Sequence, residues 1–546
     1  MHLTALIGIL GLVLGVYLTK RRKSTTSSLP FPPGPKPLPI IGNIHQAPKS
    51  HGWRTYREWS EQYGPIVHVN MLGQHVIILS TSEVAHDLLA KRGATFSDRP
   101  RLFLATELAL KGLNILLMNY TDQFRAHQRL QVAVLNTTPA ASYLPLQTLE
   151  SQQLLHDLLT QATTPAGTDI HPHLERAIAS TIHTLLYGFR VSNPTDSALT
   201  TLMKLNEEFS EFVQVGAHIV DTFPILNNLP GFLAPWKAKA ETHFQIKYAL
   251  RAQNFRRGIE ECDAWNIAKH LKRVVEREGE KDGVLPMPLD ELSFELGTMI
   301  DAALDGTVDS LTWFVVACIT QDHDSTHGGF IAKAREELDT VVGRDRLPGP
   351  EDRPHLPYIS AVVEEIFRWR PVGPEGVPHL NREETVYNGY KIPAGSVIVP
   401  NVWTISREEA VFGPEPDAFN PDRWLEVDED GKKILNKTLL SNAAAFGYGR
   451  RTCPGRHFAR NVIWIVVAQL LWAFDIKAGV DEDTGKAVDV DPLACTYGLV
   501  MRALPFKASF QPRGWWVKDV IEQCGDTYGV DHFAFLEQIG REIAKM

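Results

Sequence analysis

The feature that most constrains this chain is one loop near its C-terminal end, Phe446-Gly447-Tyr448-Gly449-Arg450-Arg451-Thr452-Cys453-Pro454-Gly455-Arg456-His457-Phe458, followed by an apolar run from Asn461 to Ala473. The run reads as a buried helix, so the loop delivers a single cysteine to a helix N-terminus. Gly449 and Gly455 permit tight turning and close backbone approach to a flat ligand. Amides at a helix start stabilise a thiolate, and Arg451 adds a fixed cation. The remaining cysteines, Cys262, Cys318, Cys495 and Cys524, are scattered, with no Cys-x-x-Cys pair and no zinc-like spacing with histidine. That pattern argues against a disulfide framework and suits a reducing compartment in which one cysteine does chemistry.

The spacing Phe-x-x-Gly-x-Arg-x-Cys-x-Gly is filled at every fixed position by Phe446, Gly449, Arg451, Cys453 and Gly455. It resembles the haem-binding loop of cytochromes P450. The resemblance implies a haem b cofactor with Cys453 as the axial ligand of its iron, where a thiolate pushes electron density onto the metal and favours O–O cleavage. It also implies Phe446 packed beneath the porphyrin and Arg451 on a haem propionate. Two further stretches, Glu365-Ile366-Phe367-Arg368 and Pro421-Asp422-Arg423-Trp424, precede the loop in the family's order. Together they look like its Glu-Arg-Arg network, in which Glu365, Arg368 and Arg423 support the haem pocket structurally. Gly376-Val377-Pro378-His379 lies where the family often places a histidine or arginine on a propionate, so His379 is expected there. The implied fold is mainly α with a small β-sheet region, the haem lying between a long central helix and the cysteine loop.

That central helix is expected over Gly297 to Thr320, an apolar stretch interrupted by Asp301, Asp305 and Asp309 at i, i+4 and i+8. Like charges stacked on one helix face cost stability, and a plain surface stripe would account for Asp301 and Asp309. Asp305 aligns with the acid of the family's Ala-Gly-x-Asp-Thr-Thr segment. Here the chain reads Ala302-Ala303-Leu304-Asp305-Gly306-Thr307, so the usual first threonine is Gly306. Proton delivery needs a donor within hydrogen-bond reach, and Thr307, a water beside Gly306 or a substrate hydroxyl would serve. Alternatively, the reaction needs little controlled O–O scission. Asp305 and Thr307 are the catalytic candidates. A second departure occurs at Phe124-Arg125-Ala126-His127-Gln128-Arg129, where the family commonly has Trp first and Arg fifth. Arg125 and Arg129 are the candidate cofactor contacts there, with His127 or Lys111 as alternatives.

No low-complexity linker divides the 546 residues, which favours one large domain with appendages. Hydrophobic residues at 44% and charged residues at 22% argue against a multi-span or disordered chain, and a net charge of −9 gives no reason to expect nucleic acid. Leu3 to Thr19 is uncharged and apolar, then Lys20, Arg21, Arg22 and Lys23 follow. Residues 1–19 therefore read as a membrane anchor leaving the body in the cytosol, at the endoplasmic reticulum; a cleaved signal peptide would have a basic leader and an Ala-x-Ala-like site. Residues 20–45 form a basic and Pro-rich hinge with a stiff strap from Leu29 to Pro39. Residues 46–513 are the catalytic domain, and 514–546 extend past the usual family end, to pack on the body or touch the membrane. Helical periodicity runs through Leu146–Leu159, Leu174–Leu186 and Phe255–Val275. Ile66–Met71 and His75–Leu79 read as a hairpin, and Ser396–Val399 as a strand.

The resemblance implies reductive activation of O2 with two electrons from outside the chain. No Gly-x-Gly-x-x-Gly turn or flavin-like domain is present, so NADPH acts through a separate NADPH-cytochrome P450 reductase. Arg450, Arg456 and Arg460, with Arg125 and Arg129, are candidates for its docking face. A pocket wall of Leu304, Val308, Val372 and the Thr496–Leu499 turn suggests a lipophilic small-molecule substrate. The Val-Pro-His and Pro-Asp-Arg-Trp forms look like the fungal secondary-metabolism branch, whose members hydroxylate, epoxidise, desaturate and couple rings. Gly306 keeps a haem-thiolate enzyme without net oxygen insertion in view, and a non-enzymatic haem-binding protein is the third class.

Overall fold

The computed structural model describes residues 29–214, 216–282, 287–321 and 329–545. The expected anchor at 1–19 and the basic residues at 20–23 lie outside the described residues. The chain divides into two compact units.

The described residues of the first unit are 29–100, Glu375–Thr404 and Tyr448–Arg450. Helix α1 (Gly52–Tyr63) packs on a four-stranded sheet of β1 (Ile66–Met71), β2 (Gln74–Leu79), β3 (His379–Leu380) and β6 (Val397–Pro400), in the order β1-β2-β6-β3. β1 and β2 form the expected antiparallel hairpin, with Ile66 opposite Leu79; β6 joins β2 in parallel. The β-branched residues Val67, Val69, Ile78, Val397 and Val399 make the buried face, as side chains alternating across a sheet require. A two-stranded ribbon, β4 (Thr385–Tyr387) with β5 (Tyr390–Ile392), completes the strands of this unit. The proline strap lies along them. Pro30 and Pro33 donate no amide, but their carbonyls accept from Lys391 N at 2.8 Å and His68 N at 3.0 Å, and Phe31 stacks on His68.

The second unit comprises the described residues within 101–374, 405–447 and 451–545. Its longer helices are α2 (Asp122–Leu135), α3 (Leu144–Gln161), α4 (His171–Tyr187), α5 (Ser197–Phe212), α6 (Pro235–Glu260), α7 (Ile267–Asp282), α8 (Leu289–Thr320), α9 (Phe330–Val341), α10 (Pro357–Trp369), α11 (Arg456–Ala473), α12 (Trp515–Cys524) and α13 (Phe533–Ile543). Two ribbons, β7 (Leu425–Val427) with β8 (Lys433–Leu435) and β9 (Phe474–Ala478) with β10 (Ala508–Pro512), are its strands. α8 is the hub and packs against α4, α6, α10 and α11. Among the described residues it is the one helix long and apolar enough to cross a membrane, and most of it is buried inside the protein. Its apolar length is therefore spent on the core.

One expectation changes. The periodic run Phe255–Val275 is two helices, because Asn266 interrupts it: its Oδ1 accepts the Lys269 amide at 2.9 Å as a cap for α7, and its Nδ2 donates to Gly258 O at 2.8 Å. The C-terminal extension packs on the second unit. Val517, Val520 and Ile521 of α12 are buried, with α12 against α3, and Leu536, Ile539 and Ile543 form the buried stripe of α13. Gly540 is needed there, since a Cβ would come within 2.6 Å of the Trp265 ring. Between these helices Thr527 donates its amide and its hydroxyl to Gln153 Oε1, both at 2.8 Å.

Candidate active site

The cysteine loop closes on itself through Cys453 N–H to Phe446 O at 2.8 Å. Gly447 and Gly449 have φ of 72° and 56°, the left-handed region that glycine enters without strain. At Gly449 a side chain is barred twice, since a Cβ would also lie 2.5 Å from Leu89 O. Cys453 then stands just before α11, and its sulfur accepts from the amides of Gly455 and Arg456. Burial pushes the thiol above its ordinary pKa, while those amides and the Arg456 and Arg460 guanidinium groups pull it down. A lone sulfur held at a helix N-terminus by two amide donors fits the axial ligand of a haem iron, whose charge would displace the thiol proton. A Cβ at Gly455 would meet only Cys453 Sγ, at 3.9 Å.

The loop's flanking residues are fixed by aromatic contacts. Phe446 meets Phe367 edge-on at 4.9 Å, with the Arg460 guanidinium 4.5 Å from the Phe446 ring. Arg451 lies 3.9 Å over Phe124 and donates to Met118 O at 2.5 Å. The aromatic residue that replaces the family's tryptophan thus carries Arg451 on its face. Of the basic residues considered for docking, Arg456 donates to Cys453 O at 3.1 Å and Arg460 is bidentate on Glu364, at 2.7 and 3.1 Å.

On α2, Arg125 and Arg129 are exposed, and Arg125 pairs with Asp122. His127 is fully buried and bonded at both ring nitrogens, to Glu295 and Glu291, each at 2.7 Å. Burial alone would lower its pKa, but the two carboxylates raise it. Lys111 pairs with Glu241 at 2.8 Å. His379, in the first unit, is buried and its Nδ1 bonds Phe96 O at 2.7 Å.

The structure brings Glu365, Arg368 and Arg423 together. Glu365 is fully buried and accepts from Arg368 Nε and Nη2, both at 2.7 Å, Arg423 Nε at 3.2 Å, Trp424 Nε1 at 2.8 Å and Asn420 N at 2.7 Å. Arg368 spends its other donors on the carbonyls of Ser406, Pro416 and Ala418, so one ion pair organises the whole 406–424 loop.

The acids of α8 are not a surface stripe. Asp301 is tied to Lys247 at 2.9 Å and to Arg251, and these cations hold its carboxyl low against burial. Asp309 is fully buried between Arg502 Nε, at 3.1 Å, and His171 Nε2, at 3.4 Å. Asp305 has Asn206 Nδ2 at 3.4 Å and Arg502 Nη2 at 3.9 Å. Burial first, and then the Asp309 charge, push its carboxyl up to about 7. Gly306 follows with nothing within 4 Å of an added Cβ, and Thr307 is buried. Sequence reasoning found the three acids but missed Lys247, Arg251, His171, Asn206 and Arg502. The signal was the acids themselves, because buried like charges require counter-charges; their positions depend on tertiary packing. Leu304 and Val308 are buried on the same helix, and Leu499 packs on a cluster containing Phe209, Phe212 and Phe294.

Comparison with known proteins agrees with this geometry. Residues 32–509 match the family model of cytochrome P450. The chain is 36% identical over 488 residues to cytochrome P450 monooxygenase aneD of Aspergillus aculeatus, covering 88% of each protein. It is 34% identical over 486 residues to cytochrome P450 monooxygenase peniB of Penicillium patulum, covering 89% of this chain and 85% of that one. It is also 34% identical over 542 residues to cytochrome P450 monooxygenase FrzL of a Cladobotryum species, covering 99% and 97%. With its cysteine loop at the start of α11 and similarity running through nearly its whole length, the chain belongs to the cytochrome P450 family.

Proposed function

We propose that this protein is a haem-thiolate monooxygenase that oxidises a lipophilic small molecule in fungal secondary metabolism, with electrons from NADPH through a separate cytochrome P450 reductase. The observation that carries it is the Cys453 sulfur, held by the Gly455 and Arg456 amides in a loop whose fixed residues are all present. When bound, the haem supplies reductive activation of dioxygen. Cys453 would hold the iron, and the two amides would keep its thiolate from being too basic. Phe446 would pack beside it, and Arg451 would serve a propionate. The Glu365 network keeps the loop before the cysteine in place. Asp305, with a carboxyl poised near 7, gives up and regains a proton at neutral pH. Leu304, Val308 and Leu499 supply the apolar wall. An N-terminal anchor at the endoplasmic reticulum membrane places the protein beside its reductase.

Gly306 supports a second reading, desaturation or radical coupling without net oxygen insertion, because the side chain that usually follows the acid is missing. The two are separated by mass spectrometry of pathway metabolites made with and without this protein and its reductase. A product one oxygen heavier supports monooxygenation. A product two hydrogens lighter, or a dimer, supports the second reading. No oxidised product with a functional reductase and pathway would sink both.

A further inference from the structure

Asp305 and Asp309 stand one helical turn apart on α8 and share one cation unequally. Arg502 is 3.1 Å from Asp309 but 3.9 Å from Asp305. The arginine's backbone is pinned on both sides: Met501 N donates to Val372 O at 2.7 Å, Trp313 Nε1 donates to Met501 O at 2.9 Å, and Arg502 N donates to Thr496 Oγ1 at 3.0 Å. Asp309 is the deeper acid, fully buried, whereas the Asp305 side chain keeps 17% of its exposure. Asp309 is steadied from α4 by His171, whose other nitrogen is 3.0 Å from Glu175.

Resting on the reading of Asp305 as the proton carrier, we propose that Asp309 is a positioning residue for it: by holding Arg502 one turn away, Asp309 leaves Asp305 beside a like charge and at arm's length from the cation. The other charged groups around the pair reinforce this division. From α5, Glu207 lies 3.9 Å from Arg502 and competes for it. From α6, Lys247 and Arg251 are taken by Asp301, which is itself a second like charge one turn before Asp305. From α4, His171 is turned to Asp309 and Glu175. An acid close to a guanidinium would stay ionised throughout the neutral range and could not hold a proton to give. Asp305 escapes that fate because Asp309 makes the nearer contact. The device matters most in a chain with Gly306, where the residue immediately after the acid carries no alcohol to share the proton transfer.

The test is an infrared pH titration of the full-length haem-loaded protein without substrate. The protonated-carboxyl band of Asp305 is identified as the one absent from Asp305→Asn. Asp309→Asn removes the like charge and releases Arg502, so the Asp305 midpoint moves down by a pH unit or more, about tenfold in the protonation equilibrium. Arg502→Gln removes the cation, and the midpoint moves up. Shifts in the same direction, or no shift in Asp309→Asn, overturn the proposal. If Asp309→Asn does not fold, Arg502→Gln decides alone: an unchanged or lowered midpoint overturns it. Failure of the proton-carrier reading looks different. Asp305→Asn with reductase would then couple NADPH use to product as well as the wild type, while the opposed midpoint shifts persist.

Discussion

Glu365→Gln changes almost nothing in volume and removes one charge from a site with five donors aimed at it. Arg368 Nε and Trp424 Nε1 converge on Oε2, and Arg368 Nη2, Arg423 Nε and Asn420 N converge on Oε1. A glutamine must put its NH2 on one side or the other, so in either orientation at least two donors face a donor. Hydrogen bonds to a charged group contribute about 1.5–3 kcal/mol each, so two lost bonds cost about 3–6 kcal/mol. Breaking a buried ion pair by removing one partner costs about 3–5 kcal/mol, because the remaining charge is left uncompensated. The two ranges overlap, and the expected loss is about 3–5 kcal/mol. The assay is urea unfolding with haem occupancy matched between variants, since bound cofactor adds its own stabilisation. The control is Arg57→Gln, at the exposed pair with Glu61 separated by 3.1 Å, where a loss under about 1 kcal/mol is expected. A Glu365→Gln loss no larger than the control's would refute the claim that this carboxylate organises the loop.

Cys453→Ala should abolish the red-shifted Soret band of the reduced CO complex; its survival would remove Cys453 as the axial ligand. His127→Gln tests the histidine's bonds to Glu291 and Glu295 on α8. The folded-state pKa of His127 is raised above 6.5, so its charge contributes fully below pH 6.5 and the contribution fades as pH rises through the folded value. The stability gap between wild type and variant, measured by unfolding across pH 5.5 to 9, should therefore narrow with rising pH; a widening gap contradicts the assignment. Truncation after Arg513 uncovers the faces packed by Val517, Ile521, Leu536 and Ile539 and leaves Gln153 Oε1 without Thr527. A marked drop in melting temperature is expected, and an unchanged value would show the extension to be dispensable.

What could be read along the chain was whatever is written within a few residues. The cysteine loop, the β1–β2 hairpin and the β-branched run Ser396–Val399 depend on local spacing; the hairpin appears where expected and the run forms a strand one residue on, over Val397–Pro400. The partition of Phe255–Val275 was missed because apolar periodicity continues across a break made by one asparagine bonding in both directions. Glu365, Arg368 and Arg423 were grouped through family likeness, since nothing in a Glu-x-x-Arg says that it is buried. The counter-charges on Asp301 and Asp309 come from α4, α6 and the segment at 502, up to 193 residues away. A stripe of acids announces a debt of positive charge without naming the residues that settle it.

The contact between Thr527 and Gln153 joins positions 374 residues apart. During synthesis at roughly 5–20 residues per second, Gln153 emerges some 20–75 s before its partner exists. Throughout that interval Gln153 Oε1 on α3 is without its Thr527 donors, although its NH2 reaches Asp157 at 2.9 Å, and Arg190, which ends on Thr527 O at 2.5 Å, is left with its bond to Glu150 at 2.6 Å. These contacts of the second unit stay unmade until Thr527 has left the ribosome. A chain interrupted between Arg513 and Thr527 would have its cysteine loop complete and this contact unmade, open to the proteases that act on unfinished proteins.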